Sequence, residues 1–115
     1  MNKGEVIHQL AFLVGRTNGL YSAYKKDPVY RRARLILDTN SRIIDLLSER
    51  AFLFDENEQT AINGVLDHFL YWKLQFEEAE KQILSPEDAF AFARCPQAAP
   101  YPVAPLRLLL EQGTS

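Results

Sequence analysis

Apolar residues recur at steps of three and four positions in three successive segments, and this spacing most limits what the chain can fold into. Such steps bring side chains onto one face of an α-helix, whereas a half-buried strand would need strict alternation. The segments span approximately residues 3–24, 28–50 and 55–84. The pattern therefore predicts an all-α protein, an antiparallel helical bundle of three long helices.

Polar residues and a proline mark the ends of these predicted helices. Asp27 followed by Pro28 is typical of a helix start, because Asp caps the first turn and Pro needs no N–H partner there. Acidic residues crowd positions 55–58, which suits the positive end of the third helix dipole. The Asn18-Gly19 pair favours a turn, but the apolar phase is the same on both sides of it. We therefore expect one unbroken first helix.

The third segment is more apolar than a surface helix requires. Leu70 and Leu74 lie outside its main stripe. They widen the apolar arc to roughly 200°, compared with about 100° for an ordinary surface helix. We therefore expect this helix to lie centrally in the bundle and to contact more than one neighbour.

Another helix start follows the third segment. Ser85 can act as the cap, Pro86 suits the first helical position, and Glu87 and Asp88 supply the acidic first turn. This pattern predicts a short fourth helix over residues 89–94.

Prolines dominate the next stretch of the chain. Four of the six prolines fall within residues 95–106, where they exclude a helix interior and predict an extended segment. We accordingly assign residues 1–94 to a helical bundle domain. Residues 95–115 form a proline-rich extended C-terminal segment with a short apolar end, which we expect to dock on the bundle.

Composition argues against several classes of protein. The formal net charge of −2 gives no global attraction to nucleic acid or to an anionic membrane. No stretch approaches the about 20 apolar residues that span a bilayer. A single cysteine, Cys95, excludes an internal disulfide and a cysteine-based zinc site. We expect a cytoplasmic protein with no membrane contact and no cofactor.

No pattern in the chain matches a catalytic signature. Glu5 and His8 have the Glu-x-x-His spacing of di-iron bundles, but such sites need a second motif and further glutamates. Cys95 precedes a proline instead of lying at a helix start, where thiols become reactive. The stretch from Gly15 to Gly19 is too short for a phosphate loop and lacks its lysine. We therefore expect no enzyme, and the Gly-x-x-x-Gly spacing is better suited to the close approach of another helix.

A basic cluster straddles the predicted turn between the first two helices, and its members are Lys25, Lys26, Arg31, Arg32 and Arg34. Cations at a helix N-terminus oppose the dipole, which suggests a compensating function. Contact with a phosphate backbone or with an acidic partner would supply one. Ion pairs with acids elsewhere in the bundle would supply a structural explanation instead.

Apolar residues outside the core stripes give the strongest functional indication. They occur on all three long helices, which suggests a second buried surface beyond the core. Self-association is a common use of such a surface, and two-fold dimers are the commonest form. The residues predicted for a partner or dimer surface are Phe12, Leu35, Leu46, Tyr71, Leu108 and Leu109.

These patterns predict a small non-enzymatic protein–protein interaction protein: an adaptor, chaperone or regulator that acts through helix faces and the C-terminal tail as a homodimer. The alternative is a nucleic-acid-associated regulator that binds phosphates through the basic cluster. Asn40 interrupts the apolar stripe of the second helix, where a polar residue typically fixes helix register or oligomeric state.

Overall fold

The computed structural model describes residues 1–91 and 101–111. Three long helices pack against each other, and a short fourth helix packs on them, which confirms the predicted fold class. A 3₁₀ turn connects the second helix to the third. The elements in chain order are α1 (Lys3–Lys26), α2 (Tyr30–Arg50), the 3₁₀ turn (Ala51–Leu53), α3 (Glu56–Glu80) and α4 (Val103–Glu111).

The middle of the bundle is occupied by α2, which packs against α1 on one side and α3 on the other. The short α4 packs mainly against α3 and also touches α1. Two apolar clusters fill the interior, one at each end. The first joins the early turns of α1 and α3 to the late turns of α2 and includes Leu106 and Leu109 of α4. The second lies at the other end and includes Tyr24, Phe76 and Phe90.

A buried polar pair separates these two clusters. Thr17 of α1 and Asn40 of α2 are both almost inaccessible to solvent, and the Thr17 hydroxyl donates to the Asn40 side-chain oxygen at 2.6 Å. A slip of α1 along α2 would leave both groups buried without a partner, which is costly in a low-dielectric interior. The bond therefore favours a single register, the role that the sequence suggests for Asn40.

The start of α2 differs from the prediction. Asp27 is the C-cap of α1, and α2 begins at Tyr30 with no side-chain cap. Its first N–H groups are instead satisfied by a distant segment, because the N–H groups of Tyr30 and Arg31 donate to the carbonyls of Asp88 and Pro86, each at 2.9 Å. The prediction that Asp27 caps α2 is wrong, since backbone carbonyls from another part of the chain serve the same purpose.

The same segment explains why the fourth helix predicted from Ser85 is absent from the described part of its range. The residues after Ser85 form a turn, and Ala89 pairs with Val29 in an isolated antiparallel bridge. The N–H of Phe90 then donates to the carbonyl of Pro28 at 2.9 Å. These backbone bonds to the start of α2 replace the helical ones. The last three residues predicted for this helix lie outside the described residues.

The short fourth helix of the structure is α4, at the end of the chain that was expected to be extended. Pro105 lies within its first turn, where a missing N–H removes no helical hydrogen bond. The extended conformation predicted for residues 95–106 is therefore wrong from Val103 onward, and residues 95–100 lie outside the described residues. Burial of Leu106 and Leu109 in the first cluster docks α4 on the bundle.

The third helix is shorter and less enclosed than predicted. It ends at Glu80, and Leu74 is 64% exposed. Leu70 is exposed as well. The broad apolar arc is thus only partly buried, because α2 and α4 cover adjacent sides of α3 and the remaining side faces solvent.

A glycine allows α4 to approach α3 closely. A Cβ at Gly64 would lie 3.1 Å from Cγ of Pro105, which is tighter than ordinary van der Waals contact. One turn further along α3, the buried ring of His68 meets the ring of Tyr101 edge-on, with centroids 5.3 Å apart. The position of α4 therefore depends on the missing side chain at Gly64.

An ion pair ties the start of α1 to the start of α3. Glu58 is buried and completes a capping box, since its Oε1 accepts the N–H of Asp55 at 3.0 Å. Its Oε2 lies 2.5 Å from Nζ of Lys3. Lys3 also lies over the ring of Phe54, with Nζ 5.5 Å from the ring centroid. One lysine thus links α1 to the corner between α2 and α3.

We expect Thr17→Val to lower the free energy of unfolding by about 1–3 kcal/mol, because Asn40 loses its buried donor. Thr60→Val is the matched control, since the exposed Thr60 hydroxyl only donates to Glu56 of its own helix at 3.1 Å. Its effect should stay within about 0.5 kcal/mol. Urea unfolding followed by circular dichroism measures both. Equal effects of the two substitutions would contradict the proposed role of the buried pair.

We expect Gly64→Leu to displace α4, because the new side chain occupies the space that Pro105 fills. The free energy of unfolding should fall by about 1–3 kcal/mol, as is usual for overpacking. Asn63→Leu introduces the same side chain at the exposed neighbouring position and should change stability little. Hydrogen exchange of the α4 amides is the direct readout. Unchanged protection of α4 in Gly64→Leu would show that the close approach is not required.

Candidate functional site

Phe12 projects from the outer face of α1 with 67% of its surface exposed. It forms the ridge between two shallow grooves. The α1 groove, of about 520 Å³, is lined by Ala11, Phe12, Gly15, Arg16, Gly19 and Leu20. The α1–α2 groove, of about 400 Å³, includes Phe12, Leu13 and Leu46 in its lining. An aromatic ring in this position offers a large apolar contact area to a partner.

Gly15 and Gly19 form the floor of the α1 groove. A Cβ added at either position meets no heavy atom within 4 Å, and neither glycine has a positive φ. Neither backbone conformation nor packing within the described residues therefore requires glycine here. Each glycine inside a helix costs about 0.5–1 kcal/mol relative to alanine. This cost has no structural counterpart among the described residues, which makes Gly15 and Gly19 candidates for a functional role.

The second helix adds two leucines to the same side of the molecule. Leu46 packs partly against the first apolar cluster and also lines the α1–α2 groove with Phe12. Leu35 is 49% exposed and lies eleven residues earlier, which places it on the same side of α2 about 16 Å away. We call the surface formed by Phe12, Gly15, Gly19, Leu35 and Leu46 the α1–α2 face.

The other residues predicted for a partner surface do not join this face. Tyr71 is half-buried on the side of α3 that carries Gly64, to which α4 docks. Leu108 is exposed on α4. Leu109 is fully buried in the core of its own chain, so its assignment to a partner surface is wrong. In the nine-residue α4, the inward face includes Leu106 and Leu109, which leaves Leu108 outside.

The two most exposed large apolar side chains among the described residues were not predicted. Phe52 is 70% exposed on the 3₁₀ turn, and Leu84 is 96% exposed just after α3. Phe52 stands in an apolar run, Ala51 to Phe54, where the sequence does not show which side chain points outward. Leu84 follows the point at which α3 ends earlier than predicted, so its helical phase carries no information.

The basic cluster is partly paired with acids of the same chain. Its three arginines each lie within ion-pair distance of an acid, and the shortest pairs are Arg31–Glu87 at 2.7 Å, Arg32–Asp27 at 3.1 Å and Arg34–Glu80 at 3.5 Å. Lys25 lies over the ring of Tyr21, with Nζ 5.1 Å from the centroid, and Lys26 is exposed. Exposed pairs of this kind add little stability. They do place acids beside the N-terminus of α2, where negative charge is favourable.

A third open groove lies beside the end of α3. It is lined in part by Tyr30, Glu77 and Glu80. The Tyr30 hydroxyl donates to Oε2 of Glu80 at 2.8 Å. This hydrogen bond to a carboxylate, aided by burial, raises the pKa of Tyr30 above its ordinary value. Glu80 is also paired with Arg34, so its charge is already used within the chain.

Neither a metal site nor a membrane span is present in the part of the chain that the structure describes. Across residues 1–91 and 101–111, no three His, Cys, Asp or Glu side chains are grouped so that they could hold a metal ion. None of the helices in these ranges has both the length and the apolar character needed to cross a bilayer. Comparisons with protein-family models, curated proteins and solved structures find no match for this chain.

We expect no specific nucleic-acid binding through the basic cluster, because its arginines already have carboxylate partners. Fluorescence anisotropy with labelled single-stranded and duplex DNA and RNA at low salt measures this. When the salt is raised to a physiological concentration, any dissociation constant should lie in the range of non-specific binding, about 10⁻⁴–10⁻⁶ M, and not below it. Tight, steeply salt-dependent binding that charge reversal at Arg31 and Arg32 abolishes would support the nucleic-acid alternative instead.

Proposed function

We propose that this chain is a cytoplasmic, non-enzymatic protein–protein interaction protein, an adaptor, chaperone or regulator, that binds its partner through the α1–α2 face and acts as a homodimer. The observation that carries the proposal is Phe12, two-thirds exposed above a glycine floor that packing among residues 1–91 and 101–111 does not require. A cytoplasmic location is supported by the single cysteine, which suits a reducing compartment.

The α1–α2 face has the composition of a binding site for another protein. Aromatic residues dominate the energetics of protein interfaces, and the most important ones insert into pockets on the partner. Phe12 has this form, with Leu46 at its side and Leu35 further along α2. The glycine floor lets a partner backbone or side chain come close to the α1 backbone. The face therefore combines an apolar projection with an adjoining recess.

The C-terminal tail has a smaller part in this proposal than the sequence indicated. Leu106 and Leu109 are buried where α4 docks on the bundle, so they offer no surface to a partner. Leu108 and Val103 stay exposed on the outer side of α4, so this helix can widen an interface without providing its centre. The nucleic-acid alternative has less support, because Arg31, Arg32 and Arg34 are already paired with acids.

We expect Phe12→Ser to remove partner binding without unfolding the chain, because Phe12 contributes little to the core. The test is affinity capture from extract of the native host with the intact chain as bait. Phe52→Ser is a matched control, since Phe52 is exposed to the same extent on a different part of the surface. Partners should bind the unmodified chain and Phe52→Ser but not Phe12→Ser.

A set of captured proteins that is identical for all three baits would contradict a role for the α1–α2 face. Circular dichroism of each variant must show unchanged helix content, which separates loss of binding from loss of folding. Capture by Phe12→Ser but not by Phe52→Ser would move the binding site to the 3₁₀ turn.

A further inference from the structure

The outer face of α1 is complementary to a second copy of itself that runs in the opposite direction. Glu5, Phe12, Gly19 and Lys26 follow one another at steps of seven residues. All four are exposed. A step of seven is almost two helical turns, so these residues form one nearly straight line along α1. In order along α1, the line carries an acid, an aromatic ring, a glycine and a base. Against a second, antiparallel copy of the line, the acid faces the base and the aromatic ring faces the glycine.

We infer that two copies of this chain pack α1 against α1 in antiparallel orientation, about a two-fold axis near Gly15 and Arg16. The inference rests on the proposed function, for which it names the partner as a second copy. In this arrangement Phe12 of each copy enters the α1 groove of the other and lies over Gly19. Because the axis is two-fold, each copy gives and receives the same contacts, as closed dimers require.

Shape supports this pairing. The α1 groove has a volume of about 520 Å³ and an open glycine floor, and Phe12 at its edge is the exposed ring that can fill the equivalent groove of a second copy. The same register sets Ala11 opposite Leu20, so that a small residue again faces a large one. Both of these residues line the groove. Small residues that let helix backbones approach are a recurrent feature of close helix pairs.

Charge supports the antiparallel direction. Glu5 lies in the first turn of α1 and Lys26 in the last, so an antiparallel pair brings opposite charges together at both ends. Antiparallel helix dipoles are also favourably aligned. A parallel pair would place Glu5 beside Glu5 and Lys26 beside Lys26, and would set Phe12 against Phe12 above an empty glycine floor. The order of residues along the line therefore selects one orientation.

One charged residue lies close to the axis. Arg16 borders the α1 groove, and in the antiparallel register it stands opposite Gly15 of the second copy. The two arginines are thus near each other. Their side chains are long enough to diverge toward solvent while their methylene groups cover the groove edge. We accordingly expect an interface at the small end of the usual range, with a dissociation constant on the order of micromolar.

Charge exchange provides the first test, by sedimentation equilibrium of the full chain. Glu5→Lys and Lys26→Glu should each weaken the dimer about three- to tenfold, because each creates two like-charge contacts. The double variant, Glu5→Lys with Lys26→Glu, recreates both opposite-charge pairs and should return to within about twofold of the unmodified chain. Additive weakening in the double variant would overturn the inference.

Cysteine cross-linking provides the second test, in a full-length Cys95→Ser background. Two single-cysteine variants, Glu5→Cys and Lys26→Cys, should form a mixed disulfide when combined and little homodimer when oxidised alone. Lys25→Cys is the control partner, because it lies about 100° around the helix from Lys26. It should cross-link to Glu5→Cys far more slowly.

The outcomes separate the inference from the proposed function. A dimer in which Glu5→Cys cross-links to itself, or one that persists in Phe12→Ser, overturns the antiparallel α1 arrangement. The proposed function is then tested by the capture of host partners alone. A chain that stays monomeric up to millimolar concentration overturns both the arrangement and the homodimer. Mixed cross-links together with recovery in the charge-exchanged double variant support the inference.

Discussion

The buried hydrogen bond between Thr17 and Asn40 fixes how α1 lies along α2, and the outer face of the molecule depends on that register. Apolar burial is strong but non-directional, so the two apolar clusters alone would tolerate several alignments of these helices. A polar pair between the clusters admits fewer, because each group is buried and has one suitable partner. A shift of α1 by one turn would move Phe12 about 5 Å away from Leu46. The buried Thr17–Asn40 pair therefore determines how Phe12 and Leu46 are placed relative to each other on the surface.

A second long-range constraint acts at the opposite end of the bundle. The carbonyls of Pro86 and Asp88 cap α2. The bridge between Val29 and Ala89 holds the segment after α3 against the start of α2. This arrangement brings the carboxylate of Glu87 to Arg31. Arg31 is thereby paired with an acid, while Arg32 and Arg34 are paired with Asp27 and Glu80. The placement of these cations at the start of α2 thus has a structural explanation.

The three long helices could be predicted from the sequence because their apolar periodicity is long and uninterrupted, even across Asn18-Gly19. Phe12 could be predicted as exposed because it lies opposite a clear stripe. Local start signals were misleading where backbone bonds from distant residues replaced them, as at Asp27 and Ser85. The partners of the arginines were also hidden, since Arg31 and Glu87 are 56 positions apart. In α4 the phase was undefined, because prolines precede a helix of only nine residues.

Under the proposed function, Gly15 and Gly19 lower the stability of α1 and provide space for a partner. A chain optimised for folding alone would carry alanine at both positions and gain about 1–2 kcal/mol. The same two methyl groups would raise the groove floor and narrow the space for an incoming ring. Consensus or computational stabilisation, which favours alanine in exposed helices, would therefore erase the recess while leaving the fold intact. A variant stabilised in this way would keep the helical bundle and lose the proposed interface.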